Sequence, residues 1–222
     1  MNTRVLLAFV GITAIALSGC AASTPVATQS PAAPTSATPA PDPVAESVIV
    51  GGLSFSIEYS LGDPAVFEYS SDPAMAIDAL SDAFGEEPTV AEVPEANCST
   101  AFTQTSWDGF EVRTDSDALP PKQQFSIVVV DSAPLAVAAS DGSILGTDNT
   151  DVLAATDENL KSDSGQSATT SFDVQDLAAS GLLYDENGPV LGPNGELAWG
   201  GHTLSRSGVV TTIAAPVYFG DC

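Results

Sequence analysis

Residues 54–88 read SFSIEYSLGDPAVFEYSSDPAMAIDALSDAFGEEP, and this stretch decides the fold. Ser54 to Tyr59 alternates polar and apolar side chains, the period of a half-buried strand. Leu61-Gly62-Asp63-Pro64 supplies turn residues, and residues 65–69 return as a second strand. Asp72-Pro73 then reads as a helix N-cap and first helical position, where proline forfeits no hydrogen bond. The spacing of Met75, Ala76, Ile77, Leu80, Ala83 and Phe84 predicts one apolar helix face, and Gly85 followed by Pro88 predicts its end.

Working outward, a Glu/Pro-rich connection leads to predicted strands at 100–105 and 110–114, joined by a tight turn at Trp107-Asp108-Gly109-Phe110. Residues 124–130 and 135–139 are expected to pair across Asp131-Ser132-Ala133-Pro134. Asp141-Gly142 turns the chain into a second helix over 150–160, with Val152, Leu153, Thr156 and Leu160 facing inward. Strands are predicted at 167–174 and 209–216. Between them, 190–191 and 197–199 form a hairpin around Gly192-Pro193-Asn194-Gly195.

The first unit has an echo. Phe55-Ser56-Ile57 recurs as Phe125-Ser126-Ile127 seventy residues on, Pro64 matches Pro134, and each half continues into a helix. The expectation is an α+β fold, mostly antiparallel sheet with two short helices. A tandem duplication of a strand-turn-strand-helix-strands unit would place repeat 1 at about 53–122 and repeat 2 at about 123–222. Chance similarity between β-rich segments is the alternative. Over residues 53–174 the element order is similar to the tandem-repeat fold of secreted β-lactamase inhibitor proteins. No specific motif accompanies that likeness, so no binding residue of the inhibitors carries over.

At the N-terminus, Arg4 precedes an apolar run of twelve residues, 5–16, which has signal-peptide proportions and is too short to span a bilayer. Leu17-Ser18-Gly19-Cys20 resembles the lipobox of bacterial lipoproteins. The resemblance implies that a peptidase cuts before Cys20 and that its thiol carries a diacylglycerol anchoring the chain to the outer side of the cell membrane. An ordinary secretory signal with an incidental thiol is the other reading. Residues 1–19 are thus expected to be leader, and 20–46 a lipidated cysteine with a disordered Ala/Ser/Thr/Pro tether. Residues 47–222 form the globular domain. Fully extended, the tether reaches about 80 Å at about 3.1 Å per residue.

One of the five basic residues, Arg4, lies in the leader, leaving four against 29 acids, a net charge of −25. Arg113, Lys122, Lys161 and Arg206 are too few and scattered for a nucleic-acid footprint, and adhesion to anionic lipid is disfavoured likewise. The acidity reads as a soluble, self-repelling surface, or as the complement of a cationic partner or divalent metal. With Cys20 lipidated, Cys98 and Cys222 remain; an even pair outside the membrane predicts a disulfide. Two free thiols and a redox pair are the alternatives.

Catalytic signals are weak. His202 is the only histidine, so a Ser-His-Asp triad must use it; Gly200-Gly201-His202 is expected in a loop. There is no GxSxG, and neither lysine has a serine three residues before it. Asp185, Asn187 and Glu196 take places one, three and twelve of an EF-hand-like loop, but Pro189 and Val190 stand where a ligand and a glycine belong. No catalytic, cofactor-binding or metal residue is assigned, and no cofactor is expected. The leading expectation is a non-enzymatic binding module tethered to the membrane through Cys20, with an envelope protein or cell-wall component as partner. The runner-up is an envelope hydrolase with Trp107, Trp199 and His202 near one pocket.

Overall fold

A computed structural model describes residues 41–96, 100–117, 119–120, 122–177, 183–185, 188–189, 191 and 197–219. Two sheets share one core. The first half contributes β1 (Ala45–Val50), β2 (Ser54–Tyr59), β3 (Ala65–Glu68), helix α1 (Pro73–Phe84), β4 (Thr89–Val93), β5 (Phe102–Trp107) and β6 (Phe110–Thr114). The second contributes β7 (Phe125–Val130), β8 (Ala136–Ala139), α2 (Thr150–Ala155), β9 (Lys161–Asp163) and β10 (Ser167–Gln175). It continues through β11 (Tyr184–Asp185), β12 (Gly188–Pro189), β13 (Trp199–Arg206) and β14 (Val209–Tyr218). The fold is α+β, mainly antiparallel sheet, as the sequence predicts.

The smaller sheet has the order β3-β2-β1-β8, and the larger β4-β5-β6-β7-β14-β13-β10-β9. Strand alternation turns Val48, Val50, Phe55 and Ile57 of the small sheet onto Phe110, Val112, Phe125, Ile127, Val129 and Ile213 of the large one. Each such buried side chain is worth about 1.5–3 kcal/mol of transfer free energy. Phe55, Tyr69 and Phe125 meet ring on ring, with centroids 5.3–6.3 Å apart. Helix α1 closes the core beside β5 and β6: Ala76 and Leu80 are buried, and Phe84 packs against Trp107 and Phe110. The Asp72 carboxylate accepts from the Ala74 N–H, and Gly85 ends the helix at φ 70°. Met75 leaves the expected stripe, being 65% exposed.

Four expectations are corrected. Residues 135–139 do not pair with β7; β8 crosses to the other sheet and runs parallel to β1, with Val48 beside Val137. The element order of the first unit therefore recurs after residue 124, but its hairpin pairing does not. The helix expected over 150–160 stops at Ala155, because Thr156 is extended and the Asp157 side chain accepts from the Asn159 N–H to start a separate 3-10 turn. Residues 200–202 belong to β13 rather than a loop. Strands β1 and β4 arise where a tether end and a connection were expected, so pairing begins at Ala45, opposite Tyr59.

One strut joins the two sheets. β10 bulges between Phe172 and Gln175, placing Asp173 at φ 49°, a left-handed conformation aspartate tolerates. Its carboxylate accepts from the Gly52 N–H at 3.0 Å and from the Ser140 hydroxyl at 2.7 Å. A Cβ on Gly52 would lie 2.6 Å from Asp173 Cβ, so the approach requires glycine. The Tyr69 hydroxyl donates to the Gly51 carbonyl; burial first, and the Asp173 charge second, push its pKa well above the usual tyrosine value. Beside the strut lies a polar seam, in which Ser143 donates to Asn149, Asn149 to Ser205, and Thr170 to Asp141.

Candidate functional site

The residues singled out by sequence do not converge. Trp107 and Trp199 are only 4% and 7% exposed. Trp107 is a core residue of β5, its indole N–H donating to the Glu86 carbonyl at 3.2 Å. Trp199 opens β13, opposite Gln175 and Tyr218. Four strand steps separate β5 from β13, roughly 19 Å at about 4.8 Å per step. The two indoles therefore line no common surface, which corrects the expected shared pocket.

His202 is half-buried on the outer face of the large sheet, directly opposite Ser171 on β10 and Ala214 on β14. Among the described residues no hydrogen-bond partner orients its imidazole. Burial lowers its pKa below the ordinary histidine value, so the ring is neutral at pH 7. The glycines before it have a packing reason: a Cβ on Gly201 would fall 2.0 Å from the Phe172 ring, and one on Gly200 would fall 2.8 Å from the Phe172 carbonyl.

Next to His202, a cavity of about 300 Å³ opens between Leu160, Leu183, Phe219 and the hydroxyls of Ser162, Thr169 and Ser171. Its one cation, Lys161, is already engaged, 2.8 Å from Glu158 and 3.0 Å from the Leu153 carbonyl. Among the described residues no carboxylate lines it. An apolar wall facing a row of hydroxyls can hold a small amphipathic group. A second cleft, at the other end of the sheet, is walled by Glu86, Glu87, Asp108 and Glu111 with Thr89, Gln104 and Ser106.

Cys20, Cys98, Cys222, Asn187 and Glu196 lie outside the described residues. Asp185 is in β11, paired with Gly188 of β12, so a short hairpin stands where the EF-hand-like spacing would need a continuous loop. Among the described residues no group of three or more His, Cys, Asp or Glu is placed to hold a metal ion, and no helix is long and apolar enough to cross a membrane. No protein-family model matches the chain, and no curated protein or solved structure similar to it was found.

The state of His202 has a measurable consequence. A histidine whose folded pKa is depressed leaves the unfolded chain binding more protons below the free value of about 6.5. Its contribution is therefore complete above that value and is lost as pH falls toward the folded pKa. Thermal melts of the native chain and His202→Asn between pH 7.5 and 5 should show the native chain losing more stability on acidification, with an excess slope of at most about 1.4 kcal/mol per pH unit for one proton. Parallel curves would mean that His202 is solvated and titrates freely.

Proposed function

We propose that the chain is a membrane-tethered envelope protein, lipidated at Cys20, whose folded part is a non-enzymatic binding module. Support for the anchor is Leu17-Ser18-Gly19-Cys20 after an apolar run of signal length, followed by a Pro-rich stretch of spacer composition. Two acyl chains give stable anchoring where one gives only marginal binding. The observation that carries the binding reading is the position of His202, the sole imidazole. Among the described residues it stands beside hydroxyls, with no carboxylate lining the adjoining cavity and no hydrogen bond orienting it.

A Cys20→Ala chain should leave the membrane fraction or accumulate uncut, as read by fractionation and intact mass. A variant that stays membrane-bound and is cut normally rules out lipid anchoring at this position. For the module itself, the unlipidated folded part should capture a saturable partner from envelope extract. Failure to do so, together with hydrolysis of an envelope substrate that His202→Asn abolishes, would move the assignment to the enzyme class.

A further inference from the structure

We propose that the free edge of β4 is a docking strand for an extended, cationic segment of a partner protein. This rests on reading the folded part as an interaction module, and it names the partner's chemistry. β4 ends the eight-stranded sheet and, among the described residues, pairs only with β5, Thr89 facing Ser106 and Val93 facing Phe102. Which backbone groups stay free follows from the turn. Trp107 and Phe110 close a two-residue hairpin, so the Trp107 amide and carbonyl point to β6 and those of Ser106 point to β4. The Ser106 hydroxyl also reaches the Thr89 carbonyl, at 3.4 Å. Thr89, Ala91 and Val93 therefore spend their backbone groups on β5, while Val90 and Glu92 direct theirs away from the sheet. Among the described residues nothing pairs with them.

Two further observations mark this edge as receptive. Val90 stands opposite buried Thr105, on the core side of the sheet, yet it is 63% exposed, and among the described residues no strand lies beyond it. An apolar residue on an open edge is the feature that β-augmentation uses, backbone bonds giving affinity and alternate side chains giving selection. The opposite edge, β9, is only three residues long.

Charge selects the occupant. Glu86, Glu87, Glu92, Glu95, Asp108 and Glu111 surround β4, and the one cation nearby, Arg113, is bound to Glu111 at 2.6 Å and stacked on Phe102. A second copy would bring one acidic edge against another on a chain of net charge −24. The chain's own residues 21–41 carry no charge to complement this edge and are interrupted by proline. An extended segment alternating Lys or Arg with Thr or Val satisfies both the edge and the field.

The probe is a twelve-residue peptide alternating lysine with threonine and valine, titrated onto the full chain in detergent. The native chain should bind it, and Val90→Pro should bind at least tenfold more weakly, because proline deletes an outward N–H without touching the β4–β5 ladder. A peptide of identical charge, N-methylated at alternate residues, should be at least tenfold weaker on the native chain; this arm does not depend on how the variant folds. No binding by the native chain, or equal binding in all three arms, overturns the docking strand, equality meaning general attraction to an acidic surface. A concentration-dependent dimer that Val90→Pro abolishes assigns the edge to a second copy and also overturns it. Should Val90→Pro still capture the envelope partner fully, the docking strand fails while the binding module stands.

Discussion

Gly109→Ala is expected to destabilise the folded part by about 3 kcal/mol, combining about 1–2 kcal/mol for a left-handed residue with about 1–3 for overpacking. Gly109 is at φ 78° in the turn between β5 and β6. A Cβ there would lie 2.3 Å from the Ser132 carbonyl oxygen and 2.7 Å from that of Val130. Both obstacles are backbone, so no rotamer change relieves them. Moving the turn away would also break the Val130 N–H to Gly109 carbonyl bond, 2.9 Å long, which seats the β5–β6 hairpin on the end of β7. Gly85→Ala is the control: φ is 70°, but its Cβ would meet nothing within 4 Å, so only the conformational cost of about 1–2 kcal/mol applies. Urea midpoints at constant slope give both values. Equal losses would mean that the turn does not lie against Ser132.

That contrast also explains which parts of the fold could be read from sequence. The helix at Pro73–Phe84 was legible because its determinants are local: Asp72 caps it, Pro73 begins it and Gly85 ends it. The Asp108-Gly109 turn was legible for the same reason, whereas its contact with Ser132 is not written nearby. β8 is legible as a strand but its partner is not, since an apolar run such as 135–139 shows its period and not the sheet it joins. β13 is hidden because Gly200-Gly201 reads as loop, although both glycines make room for Phe172 and its bulge on the neighbouring strand. The candidate site suffered most. Two tryptophans and a histidine invite a pocket, yet burial puts Trp107 in the core and four strand steps put Trp199 elsewhere. The β4 edge was hidden in a Glu/Pro-rich connection, its significance resting on having one neighbour rather than two.

The largest expected effect concerns Cys98 and Cys222, which we propose are disulfide-bonded. Thr105, Val112, Ile127 and Ala215 stand level across β5, β6, β7 and β14, each pairing antiparallel with the next. Three reversals make β5 antiparallel to β14, so moving back along β5 and forward along β14 leads to the same end of the sheet. Each cysteine is seven residues beyond that line in sequence. The strands carrying them are three steps apart, roughly 14 Å. The four residues beyond Phe102 and the four beyond Tyr218 can each span up to about 14 Å, so the described strands leave the Cα separation of about 4–7 Å that a disulfide needs within reach. The last strand, β14, lies inside the large sheet, between β7 and β13. Closing a loop of about 125 residues confers roughly 4–5 kcal/mol in the chain-entropy model, and loss of a native disulfide from a small secreted domain costs about 2–5 kcal/mol. A Cys98→Ser, Cys222→Ser chain should therefore lose 2–5 kcal/mol in urea. Non-reducing peptide mapping of the native chain should yield one linked Cys98–Cys222 pair. Two thiols that alkylate freely before denaturation would exclude the bond, and a Cys98 peptide linked to Cys20 instead would also exclude lipidation at Cys20.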